Sequence, residues 1–119
     1  MNFSKKSTET ETYVNDEVSL EIRNESIDNS GLVLLISNKT NTDLSYDSTY
    51  YIEQKKNGVW YSSDNEQYFN ALAILLESKA TNEFEVDFET TLPQGEYRII
   101  KSINVSTGSI PLMVDFKIS

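Results

Sequence analysis

An all-β fold, two antiparallel sheets packed face to face, is what this sequence predicts, and three observations predict it. Apolar and polar residues alternate along most of the chain, the period of a half-buried strand. Turn signals return roughly every 8–15 residues, the spacing of a many-stranded sandwich. No long stretch carries the 3.6-residue period of an amphipathic helix. With 119 residues, there is enough chain for one core, and 11% aromatic residues supply its bulk.

The elements follow in order. Residues 4–12, SKKSTETET, are polar and low in complexity, so residues 1–12 are expected to be a flexible leader before a domain at 13–119. Val18, Leu20 and Ile22 open the alternation. GLVLLISN (31–38) is nearly continuously apolar, as a central strand should be. SYDSTYYIEQKK (45–56) reads as one strand through Tyr50 and Ile52, meeting Asn57-Gly58, the dipeptide of a type I′ hairpin turn. VWYS (59–62) returns as its partner.

YFNALAILLES (68–78) is ambiguous: Ala and Leu favour a helix, its length fits either element, and its β surroundings favour a strand. NEFEVDFE (82–89) sends Phe84, Val86 and Phe88 one way and Glu83, Glu85, Asp87 and Glu89 the other. LPQGEYRIIKSINV (92–105) opens on a Pro-x-Gly turn, then carries Tyr97, Ile99 and Ile103 on one face. IPLMVDFKIS (110–119) alternates through Leu112, Val114, Phe116 and Ile118, with Pro111 suited to a sheet edge. Seven or eight strands are expected.

Composition narrows the chemistry. The chain has no Cys and no His, so disulfides, thiolate nucleophiles, zinc-thiolate sites and His-based triads are excluded. No nucleophile elbow, dinucleotide fingerprint or phosphate loop occurs. Asp43, Asp47, Asp64, Asn65 and Glu66 lack the spacing of a calcium loop. No cofactor or metal is expected. A net charge of −9, spread over both halves, argues against nucleic acid and anionic lipid as partners. No apolar run is long enough to span a bilayer as a helix, and the first residues lack the apolar region of a signal peptide.

The residues with something left to do are aromatic. Trp60 and Tyr61 are adjacent in a strand and must face opposite sides. Trp60 is expected to pack into the core or sheet edge. Tyr51, Tyr61 and Tyr68 would then form an outer platform, with Asp64 and Glu66 beside it, suited to a sugar face or a cationic peptide. Arg98 is expected to point outward and pair with Glu96 or a neighbouring strand.

Gly95 two positions before Tyr97, leading into the penultimate strand, resembles the tyrosine corner of immunoglobulin-like sandwiches. LISNKTNTDLSYDSTYYIEQKKNGVWY, then LPQGEYRIIK, then VDFKIS, resembles a bacterial immunoglobulin-like family of exported and lipid-anchored Gram-positive proteins, over residues 17–119. The resemblance implies structural roles for Tyr97, Gly95 and Gly58, packing for Trp60, and no catalytic residue. It implies a monomeric, non-enzymatic module for binding or spacing at the cell surface, with a protein or glycan partner and an anchor upstream. The small, acidic, cysteine-free composition is also similar to the intracellular proteinase inhibitor of bacilli, which would imply a cytoplasmic protein presenting a loop to a protease. A ligand-sensing domain of a larger membrane protein is a third reading.

Overall fold

The computed structural model describes residues 3–9, 11–12, 15–63 and 72–119. Among them there are ten strands and no helix: β1 (Phe3–Lys6), β2 (Val18–Ile22), β3 (Gly31–Asn38), β4 (Leu44–Tyr46), β5 (Tyr51–Lys56), β6 (Val59–Ser63), β7 (Ile74–Leu76), β8 (Thr81–Asp87), β9 (Gly95–Val105) and β10 (Gly108–Ile118). They form two antiparallel sheets. The larger runs β1-β6-β5-β9-β4-β7 with β10 also paired to β9; the smaller runs β2-β3-β8.

The core lies between the sheets and is built by the predicted alternation. Leu32, Leu34, Ile36 and Asn38 of β3 point inward, and Tyr97, Ile99 and Ile103 of β9 meet them from the large sheet. Phe116 stacks on Tyr97 at 5.4 Å and on Phe88 at 5.5 Å, while Phe84 meets Tyr46 and Tyr50 edge to face. Such ring pairs add about 0.5–1.5 kcal/mol beyond the area they bury. Asn38, a polar residue at the end of β3, uses its whole amide. Its Nδ2 donates to the Thr42 and Leu76 carbonyls, and its Oδ1 accepts from the Thr40 backbone and hydroxyl. It ties the β3–β4 turn to β7 without leaving a buried group unmet.

Two glycines are fixed by geometry. Asn57 and Gly58 both have positive φ, 51° and 79°, while Lys56 pairs with Val59, as a type I′ hairpin requires. A Cβ on Gly58 would meet nothing within 4 Å, so Gly58→Ala acts through backbone conformation alone. It is expected to cost about 1–2 kcal/mol, read as a shift in urea midpoint at unchanged slope. Gly95 serves close approach: a Cβ there would sit 3.0 Å from Gln54 Nε2 and 3.5 Å from the Tyr97 ring.

Three expectations change, and the strand favoured within 68–78 is found. The strand predicted over 45–56 is broken at Asp47–Tyr50, where Asp47 Oδ1 accepts from the Thr49 amide and turns the chain. The break, together with β1, raises the strand number. Within the ambiguous run 68–78, Ile74–Leu76 is strand β7 paired with β4; residues 68–71 lie outside the described residues. Finally, the stretch read as a flexible leader includes a paired strand. Phe3–Lys6 is β1 on the β6 edge, because Phe3 is buried against Tyr97, with ring centroids 5.7 Å apart. One apolar residue in a polar stretch was enough to dock it.

Candidate binding face on the large sheet

Strand pairing sets which side chains share the outer face of the large sheet. Glu53 lies between Ser62 of β6 and Arg98 of β9, and Lys55 lies beside Trp60. Tyr51, two residues before Glu53, shares its face and is 55% exposed. Arg98 and Glu53 are nonetheless 1% and 2% exposed. The N-terminal segment accounts for this. From β1 it continues with the Ser7 amide donating to the Trp60 carbonyl, Ser7 Oγ accepting from Arg98 Nη2 at 3.3 Å, and the Thr12 carbonyl accepting from the Met113 amide on β10. It therefore reaches from the β6 edge to the β10 edge across the outer face. Ile100 and Met113, both on that face, are 3% and 1% exposed.

Under this segment sits a buried ion pair. Arg98 Nε and Nη2 both donate to Glu53 Oε1, at 2.8 and 2.6 Å. The guanidinium also lies 4.5 Å from the centre of the Trp60 ring. A desolvated cation over an indole face is a favourable contact of up to about 2 kcal/mol. The pairing is end-on, not a two-pronged fork, so Glu53 Oε2 makes no hydrogen bond to the described residues. Among the described residues, Arg98 Nη1 is the side-chain polar atom buried without a hydrogen bond, 4.0 Å from the Glu11 carboxylate. Beside the pair is a cleft of about 140 Å³, lined by Lys5, Lys6, Thr8 and Glu9 from the segment and by Tyr51, Glu53, Ser62 and Ile100 from the sheet.

The adjacent Trp60 and Tyr61 face the opposite way to the expectation. Tyr61 packs against the core, with Lys56 Nζ 5.5 Å from its ring centre, while Trp60 lies on the outer face against Arg98 and Lys55. The register decides this, since Tyr61 pairs with Gln54, on the inward side of β5 with Ile52. Tyr51 and Trp60 thus share the outer face, and Tyr61 does not join them. Asp64, Glu66 and Tyr68 lie outside the described residues. Arg98 pairs with a neighbouring strand as expected, through Glu53 and not Glu96, but it is covered instead of exposed.

Tyr97 makes the predicted corner. Its hydroxyl donates to the Pro93 carbonyl at 2.7 Å, and the side chain is fully buried. Lys101 is the residue that sequence reasoning missed. Its position continues the inward series Tyr97, Ile99, Ile103, so the signal was present in the period. It is fully buried, and its Nζ donates to the Asp47 and Thr49 carbonyls at the break between β4 and β5. The rings of Tyr46 and Phe84 lie 5.0 and 4.8 Å from it, and the Asp47 carboxylate lies 3.9 Å away.

Burial lowers the Lys101 ammonium from the ordinary 10.5 to about 8, against the pull of Asp47. The unfolded chain then holds the Lys101 proton more tightly than the folded one. This group's contribution to stability therefore rises as pH climbs from about 8 to 10.5. Burial also raises the Tyr50 and Tyr97 phenols above their ordinary 10.0, so these two work in the opposite sense beyond that pH. Urea midpoints of the parent protein are expected to rise between about pH 8 and 10 relative to those of Lys101→Met. Parallel pH profiles for the two proteins would refute the assignment.

Two face-to-face antiparallel sheets clamped by a buried tyrosine corner define an immunoglobulin-like β-sandwich. The chain belongs to the bacterial Ig-like domain family, which it matches over residues 14–117. Comparison with curated proteins and with solved structures gives no match. Among the described residues, no helix is long and apolar enough to cross a membrane.

Proposed function

We propose that this domain is a non-catalytic module that works outside the bacterial cell, binding or spacing at its surface. The observation that carries the reading is the family match over nearly the whole chain, because domains of this family serve generally as modules and not as enzymes. The lack of His and Cys supports it, since the usual nucleophile–base pairs cannot be assembled. The contact surface in this reading is the outer face of β5, β6 and β9, where Tyr51, Trp60 and the covered Arg98–Glu53 pair come together. The partner is a protein or a glycan.

The test is made in the bacterium that encodes the protein. Intact cells are treated with a membrane-impermeant biotin reagent and the domain is recovered by antibody. Labelling in intact cells at the level seen after lysis is expected. Labelling only after lysis would overturn the surface placement, and inhibition of a serine protease by the pure protein would favour the inhibitor reading in its place.

A further inference from the structure

We propose that the open edge of β8 binds a partner protein by strand addition, and that the strand it takes is extended and alternates basic with apolar residues. This edge belongs to the small sheet, apart from the outer face of β5, β6 and β9, so the inference goes beyond the function proposed above.

Strand pairing defines the edge. Among the described residues, β8 pairs with β3 alone. The Phe88 amide donates to the Ser30 carbonyl, and the Ala80 carbonyl accepts from the Asn38 amide. The even-numbered residues between them therefore exchange their backbone bonds with β3. Glu83, Glu85 and Asp87 turn both backbone groups the other way. The Asp87 carbonyl shows this direction, since it accepts from the Tyr50 hydroxyl at 2.6 Å. Glu83 and Glu85 each present an amide and a carbonyl along an edge that no described strand covers. A row of such groups is a template for another strand.

The other strands with one paired neighbour are poorer templates. β1 has four residues and an irregular register, and β7 has three. β2 has β10 packed against it, and β10 is met by the N-terminal segment, whose Thr12 carbonyl takes the Met113 amide. β8 offers seven residues.

Side chains select the partner. Glu83, Glu85 and Asp87 project from the outer face of β8 and are exposed. Only Glu83 has an ion pair among the described residues, with Arg23 at 3.1 Å, and both partners are exposed, so it is a weak contact. In an added strand, the residue opposite each Glu lies on the same face, about 5 Å away. A second copy of β8 would set carboxylate against carboxylate, which disfavours self-pairing. Lys or Arg at those positions reverses the sign. The net charge of −9 acts in the same sense at longer range and steers a basic segment toward the domain. The intervening positions of the added strand fall beside Phe84, which points inward yet is only partly buried and meets Tyr46 and Tyr50 edge to face. An apolar residue there extends that cluster. Basic residues outward and apolar residues inward give the alternating pattern.

The experiment is an NMR titration of the ¹⁵N-labelled domain with a capped peptide, as long as β8, that alternates Lys with Val. One control has the same composition with its lysines in a single block. The other is the alternating peptide with its backbone nitrogens methylated, which keeps every charge and loses the hydrogen bonds. Saturable shifts are expected around Thr81–Asp87 with the alternating peptide, and both controls should bind at least about tenfold more weakly. The Glu83 and Glu85 amides should exchange fast in the free domain and slow at least about tenfold in the complex, while Phe84 and Val86, already bonded to β3, are slow throughout. Glu83→Lys with Glu85→Lys should weaken binding at least about tenfold with Tm nearly unchanged. Glu9→Lys with Glu96→Lys makes the same change in net charge away from the edge and should bind like the parent. No saturable shift, equal binding of either control peptide, unchanged exchange at Glu83 and Glu85 on saturation, or equal loss in the two charge variants would overturn the proposal. None of these outcomes alters the biotin-labelling result, so the surface placement is tested separately.

Discussion

Replacing Glu53 by Ala is expected to destabilise the domain by about 3 kcal/mol, at the low end of the roughly 3–5 kcal/mol that follows loss of one partner from a buried ion pair. The cause is the charge left behind. Arg98 is 1% exposed and donates through Nε and Nη2 to a single Glu53 oxygen. Without that oxygen the guanidinium retains Ser7 Oγ, the Trp60 face and the solvent-exposed Glu11 carboxylate 4.0 Å away, which offset its charge only weakly. The low end is chosen because the adjacent cleft brings water within reach of the vacated site. Replacing both residues, Glu53→Met with Arg98→Met, should restore most of the loss, since packed apolar groups substitute for a desolvated pair at little net cost. Urea unfolding of the single and double variants reads both effects. A single-variant cost below about 1 kcal/mol, the range of exposed pairs, would show that the pair is solvated and the segment open.

The second large effect is at Tyr97, where two substitutions separate ring from hydroxyl. Tyr97→Ala is expected to cost about 3–5 kcal/mol, the range for removing a large buried aromatic side chain. The ring is fully buried, stacks on Phe116 and meets Phe3 edge-on, so its loss opens a cavity under β1 and beside β10. Tyr97→Phe keeps the ring and removes the bond to the Pro93 carbonyl together with the long 3.4 Å bond accepted from Gln54 Nε2, at about 1 kcal/mol. Both figures matter against a total stability of about 5–15 kcal/mol for a domain of this kind. If Tyr97→Phe proves as damaging as Tyr97→Ala, the hydroxyl and not the ring is what the corner depends on, and the packing account fails. Tyr97→Ala should also loosen β1, seen as faster amide exchange at Phe3–Lys6, because Phe3 loses the ring it packs on.

The two variants act through different parts of the N-terminal segment. Phe3 anchors its start from the core side, and the Arg98–Glu53 pair with Ser7 holds its continuation on the outer face. Tyr97→Ala should release the first anchor and Glu53→Ala the second. Comparison of their exchange profiles tells whether the segment leaves the sheet as one unit or in two steps.

The sequence by itself determined the class of fold, the course of most strands and the corner. These rest on local quantities: side chains alternate with a period of two, a positive-φ turn selects Asn57-Gly58, and a Pro-x-Gly turn places Tyr97 at a strand start. The inward series of β9 and β10 was legible for the same reason, down to Leu112, Val114, Phe116 and Ile118. Tertiary structure decided what lies over each face. Period two says that Trp60 and Tyr61 oppose each other, but only the pairing of Tyr61 with Gln54 says which of them meets the core. Arg98 and Glu53 sit on a face that alternation marks as solvated, and they are buried because a polar segment from the far end of the chain crosses them. Burial of a charged pair is a property of what covers it, and contacts between residues 7 and 98 leave no trace in local sequence.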